Sequence, residues 1–240
     1  MSFLLECKKI KRSGFVPALL GGGLLAAMIP VLNMAVRAEM FTGIPDSPVA
    51  ILLQENWQIM TMLNVLLLIT GACILYHIEY ADSAMQKMNS LPLKESSLFL
   101  GKIIIAVIML TAMLALEAAA TGFCVFHWFT FSTDTILELA KNSGFFLLLS
   151  LPAILLSMMV SSACKNMWVS LGIGVICVFF ATMLPSDNFV LSCFPFALPF
   201  QVFAKLTTET AQKFMVAAAL EIFILYMAEL LLIKIRRSFT

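Results

Sequence analysis

Residues 103–127 read IIIAVIMLTAMLALEAAATGFCVFH, and Glu117 is the one formally charged side chain in the stretch. A helix rises about 1.5 Å per residue and a bilayer's hydrocarbon core is about 30 Å thick, so roughly 20 apolar residues cross it with their backbone groups bonded internally. This segment is long enough to do so. Working outward, five further stretches qualify: Gly14 to Val36, Trp57 to Tyr76, Gly144 to Ala163, Met167 to Pro185 and Phe214 to Ile233. The two-residue alternation of a membrane barrel strand is missing, so the spans are expected to be helices.

Composition agrees, with 61% apolar and 12% charged residues. The expected fold is an all-α integral membrane protein with six transmembrane helices, formed as one membrane domain over residues 1–240, since no repeat or linker divides the chain. Lys8, Lys9, Lys11 and Arg12 precede the first span, as in a signal peptide. Its apolar run is too long for a signal h-region and lacks a small-x-small cleavage site, so it is expected to stay in the mature protein.

Basic residues set the orientation. With the N-terminus inside, Lys8, Lys9, Lys11, Arg12, Lys87, Lys94, Lys102, Lys165, Lys234, Arg236 and Arg237 fall on the cytoplasmic side, leaving Arg37, Lys141, Lys205 and Lys213 outside. Both termini are then cytoplasmic. A net charge of +1 gives no reason to expect nucleic acid as a partner, while the basic ends suit membrane lipids with anionic headgroups.

Cys73, Cys124 and Cys177 lie inside spans, Cys7 and Cys164 at cytoplasmic ends, and Cys193 outside. No external partner is at hand for a disulfide, and no CxxC or Cys/His spacing points to a metal. The thiols read as small hydrophobes.

Two loops stand out. Between spans two and three, Ile78, Ala81, Met85, Met88 and Leu91 recur at helical spacing, with Asp82, Gln86, Lys87 and Asn89 on other faces and Pro92 as a stop. This is a short amphipathic helix, either a cytoplasmic docking element or a hairpin lying on the bilayer. Between spans five and six, residues 186–212 carry Phe189, Phe194, Phe196, Phe200 and Phe203, broken by Pro195 and Pro199. They read as an external re-entrant hairpin that either meets a hydrophobic substrate or anchors in the interface.

Three acids fall inside spans: Glu117, Glu221 and Glu229. An ionised group there is costly, so each must face protein, water or a partner, or keep its proton. At 100° per residue, Ala115, Ala118, Ala119 and Gly122 form a small-residue stripe suited to close packing, with Glu117 roughly opposite beside Met113 and Cys124. Glu117 and Glu221 read either as a polar lining for a cationic peptide or as hydrogen-bonding groups between helices; Glu229 reads as the latter. The external acids Glu39, Asp46, Glu55, Asp134, Glu138, Asp187 and Glu209 outnumber the external bases, which suits a cationic substrate or simply solvates the loops.

Enzymatic signatures are missing. There is no HExxH, GxSxG or GxGxxG, and His77 and His127 fall on opposite sides of the membrane. A phosphate-binding GxxxxGK[ST] loop also fails, because Gly101-Lys102 has Ser96 where that motif needs glycine.

The basic amphipathic N-terminus from Phe3 to Arg12, the Met85-Gln86-Lys87-Met88-Asn89-Ser90-Leu91-Pro92 elbow, Lys102 opening span three, the short loop at Cys164 to Asn166 and the Phe/Pro hairpin together resemble type-two ABC exporter permeases. Within these, the chain is most similar to permease subunits of lantibiotic-protection transporters. The resemblance implies that residues 79–92 are a coupling helix seated in a cytoplasmic ATPase through Glu79, Asp82, Met85, Gln86, Lys87, Met88, Leu91 and Pro92. It implies that residues 1–13 ride the membrane face as an amphipathic helix. Two ATPase copies would carry the ATP and Mg, with no cofactor on this chain, and a second six-span permease, or another copy of this one, would complete a complex in a bacterial cytoplasmic membrane. The cargo would be a lantibiotic or similar antimicrobial peptide, with Glu117, Glu221, Phe194, Phe196 and Phe200 at the substrate or subunit interface. Export of another peptide, drug or lipid, or a scaffold or sensor role without transport, are the alternatives.

Overall fold

Long apolar runs with few internal helix breakers fold as single helices. The computed structural model describes residues 2–11, 13–80, 95–130, 133–164, 166–185 and 188–238. Its helices are α1 (Ser2–Ile10), α2 (Phe15–Phe41), α3 (Pro48–Tyr80), α4 (Glu95–Trp128), α5 (Thr133–Ala163), α6 (Met167–Met183), α7 (Phe189–Ser192) and α8 (Thr208–Ser238), with 3-10 turns at Leu198–Phe200 and Phe203–Lys205. No strand occurs among the described residues. Helices α2, α3, α4, α5 and α8 are long and apolar enough to cross a membrane, whereas α6 is a shorter apolar helix of 17 residues.

Two helices start well before their apolar windows. Helix α3 begins at Pro48 rather than near Trp57, because Ser47 Oγ accepts from the Ala50 N–H at 3.1 Å and proline's fixed φ suits a first turn. Helix α5 begins at Thr133 rather than Gly144, carrying polar residues in its first turns. Hydropathy marks the part of a helix in lipid, and capping decides where the helix begins.

Helix α1 turns into α2 at Gly14, whose φ of +72° is open to glycine at little cost. Helix α3 is central, packing against α2, α4, α5 and α6. The core between these helices holds Leu19, Met34, Leu68, Leu110, Met113 and Phe146, all buried. Helix α2 reaches α4 so closely at Gly23 that an added Cβ would stand 2.7 Å from Met113 Cγ. The stripe of Ala115, Ala118, Ala119 and Gly122 does not form that contact: Ala115 and Ala119 are exposed, and the packed face of α4 is the one bearing Met113, Glu117 and Cys124. Helix α8 packs chiefly on α5 and leaves Leu220, Phe223, Ile224 and Leu231 exposed.

At the end of the bundle opposite α1, the chain from Asn188 to Thr207 folds back over the helices. Phe196 and Leu198 are buried, and Trp57 Nε1 donates to the Pro199 carbonyl at 3.2 Å while its ring meets Phe146 edge-on at 5.2 Å. The irregular segment ends sooner than residues 186–212, because Thr207 Oγ1 accepts from the Thr210 N–H at 3.3 Å and starts α8 at Thr208.

Candidate functional site

Polar side chains gather where α1, the last turn of α3 and the first turns of α4 meet. Helix α1 is amphipathic: Glu6 and Ile10 are buried against the bundle, while Cys7, Lys8 and Lys11 are exposed. Glu6 lies against Gly101: an added Cβ there would stand 3.5 Å from Glu6 Cγ, an ordinary contact distance.

Lys102 is 2% exposed, with Nζ 2.7 Å from Glu79 Oε1, 3.9 Å from Glu6 Oε2 and 4.9 Å from the centre of the Tyr76 ring. The same Glu79 oxygen accepts from Lys9 Nζ at 3.0 Å, and Lys9 also reaches Glu6 Oε1 at 2.7 Å. Two carboxylates and two ammonium groups therefore close a neutral cluster over three helices. Burial alone would lower the Lys9 pKa, but the bonds and charges of Glu6 and Glu79 outweigh it and raise the pKa above its ordinary value. Such a cluster adds little net stability, because desolvation offsets much of the attraction; what it provides is a fixed geometry.

The next residue carries the linkage the other way. Tyr80 OH donates to the Ser162 carbonyl on α5 at 2.5 Å, and Ser162 Oγ lies 3.1 Å from Glu229 Oε1 on α8. Phe99 on α4 stacks on Tyr226 of α8, with centroids 6.4 Å apart. Through Glu79 and Tyr80, one helical turn thus contacts α1, α4 and α5, and through α5 reaches α8.

Of the residues singled out in the sequence, Glu79 sits in this cluster, 4% exposed. Asp82, Met85, Gln86, Lys87, Met88, Leu91 and Pro92 lie outside the described residues. Glu117 is buried against α3, where its carboxyl faces Asn64. Glu221 is half-buried, and its Oε2 has no hydrogen-bond partner. Phe194 and Phe196 border an apolar cavity of about 130 Å³ whose other walls include Ile69, Ile173 and Gly174; Phe196 is buried, while Phe194 and Phe200 are partly so. Glu6, Lys9, Tyr76, Tyr80 and Ser162 were not singled out. The i,i+3 pair Glu6–Lys9 was a sequence signal for the first two; nothing local marks the others.

Long apolar helices bound together at one end by a buried ionic cluster define a multi-pass membrane protein. Residues 2–181 match the family model described as ABC-2 family transporter protein, and the chain belongs to that family. No curated protein and no solved structure matches it. Membership makes this chain an ABC-2 type permease, a membrane transport component, and implies association with an ABC ATPase.

Proposed function

We propose that the chain is the permease subunit of an ATP-driven exporter that removes a lantibiotic or similar antimicrobial peptide from a bacterial cytoplasmic membrane. The observation that carries the coupling half of this reading is the last turn of α3. Glu79 and Tyr80 tie it to α1, α4 and α5 immediately before the chain enters residues 81–94. In this reading those residues dock on the ATPase through Met85, Gln86, Lys87 and Met88, and the α1 end of the bundle is cytoplasmic. A push there would move the tied helices as a body, because a closed ion cluster resists local give.

Helix α6 serves as the sixth crossing: its 17 residues lie at the short end of the length a bilayer requires. Two ATPase copies, carrying ATP and Mg, and a second six-span permease complete the complex. The peptide cargo rests on the likeness to lantibiotic-protection permeases and on the excess of acids in the external loops. The apolar cavity beside Phe194 and Phe196 would take a hydrophobic side chain, with Phe200 of the hairpin and Glu221 of α8 as further proposed contacts.

Co-expression with the partner ATPase tests the reading. Lys87→Glu combined with Met88→Asp should abolish co-purification and ATP turnover by the complex while membrane insertion stays intact, since it removes an ionic and an apolar contact from a small interface. Unchanged association and turnover would remove the docking assignment. If the complex forms and turns over ATP but cells gain no peptide protection, the cargo is another hydrophobic compound.

A further inference from the structure

Between α3, α4 and α5, about 22 Å along α4 from Lys102, lies a small cavity of about 20 Å³ lined in part by Glu117, Thr121, Asn142 and Ser143. Glu117 and Asn142 are each 5% exposed. Asn142 Nδ2 donates to the Glu138 carbonyl at 2.8 Å, which fixes the amide's orientation and leaves Oδ1 with no partner. The Glu117 carboxyl faces Asn64 of α3, and its Oε1 has no partner either. The Thr121 hydroxyl hydrogen is committed to the Glu117 backbone carbonyl at 2.8 Å.

The cavity therefore brings together two acceptors that no protein donor satisfies. Its size decides what can supply one. A water needs a cavity of roughly 10–15 Å³ or more and two to four polar partners, and both conditions hold here. A guanidinium or ammonium side chain from a substrate is too large. A bound metal ion is poorly served, since no group of three or more acidic, histidine or cysteine residues gathers among the described residues.

We propose that this cavity is a binding site for one water molecule, which donates one hydrogen to Glu117 Oε1 and the other to Asn142 Oδ1. At this level one water then bridges α4 and α5, beside the direct approach of Gly122 to Leu139.

The test uses the purified full chain in lipid nanodiscs. An experimental map that resolves ordered waters should show density about 2.7–3.2 Å from both oxygens, and Asn142→Leu should abolish it. In thermal unfolding, Asn142→Leu and Glu117→Met should each lower Tm, and the double variant should lose clearly less than the sum, because each single change strands the same bridge. Asn142→Ser, which keeps a small polar group, provides a folded variant should leucine fail to insert, and its density should move or vanish. An empty cavity in the wild-type map, or additive losses, would overturn the site. A Tm that rises in sodium chloride over choline chloride for wild type and not for Asn142→Leu would make the occupant a cation and overturn the water.

Discussion

Lys102 Nζ lies 2.7 Å from Glu79 Oε1, joining α4 to the last turn of α3 across the chain segment that connects them. Both side chains are almost wholly buried, so the pair is shielded from salt and from competing water. A connector whose two roots are clamped to each other cannot splay when pushed. Force on it must move α3 and α4 together, and α1 with them through Lys9 and Glu6.

Removing one member of this cluster should cost far more than the cluster contributes. Lys102→Met leaves Glu79 and Glu6 facing each other with Lys9 alone, and is expected to destabilise the protein by about 3–5 kcal/mol. Exchanging the charges, Glu79→Lys with Lys102→Glu, should restore part of that loss. Thermal unfolding of the two variants beside wild type in nanodiscs decides it; a Lys102→Met protein that melts with wild type would show that the cluster fixes nothing.

Lys9 gives the cluster a defined pH limit. Its pKa in the folded state is raised above its ordinary value of 10.5, burial being outweighed by Glu6 and Glu79. A raised lysine contributes stability that is fully present below the unfolded pKa and is lost as pH climbs through the folded one. The gap in Tm between wild type and Lys9→Gln should therefore hold constant from neutral pH to about pH 9 and close only as pH rises beyond 10.5. A gap that closes near neutral pH would mean that another group, not Lys9, governs the contact.

How much of this was legible in the sequence depended on the range of the signal. Spans such as α4 announced themselves, because lipid demands an unbroken apolar run and the demand is local. The start of α3 at Pro48 was harder to see, since it depends on a cap and lies outside that run. The small-residue stripe misled for a physical reason: Ala115 and Ala119 permit close approach but do not compel it, and the actual approach uses Gly23 of α2 against Met113. The ion cluster was half visible. Glu79 was read as an ATPase-docking residue and Lys102 as the opening of span three, yet their pairing and the insertion of Glu6 beneath them come from how α1 folds back at Gly14, which no spacing records.

The cysteines offer a direct reading of orientation. Cys7 lies exposed on α1 and Cys164 follows α5 at the same end of the bundle, whereas Cys193 closes α7 at the other. The orientation proposed from the distribution of basic residues puts the α1 end in the cytoplasm, and labelling tests it. In variants retaining one cysteine each, a membrane-impermeant maleimide applied to intact cells should label Cys193 and spare Cys7 and Cys164 until the cells are permeabilised. The rate at Cys193 carries further information, because burial and, after it, the charge of Glu221 raise its thiol pKa, and the thiolate is the reacting form. Labelling should thus be slow at neutral pH and quicken as pH rises, and Glu221→Gln should speed it at fixed pH by removing the nearby negative charge. External labelling of Cys7 in intact cells would invert the topology, and an unchanged Cys193 rate in Glu221→Gln would show that burial alone restrains the thiol.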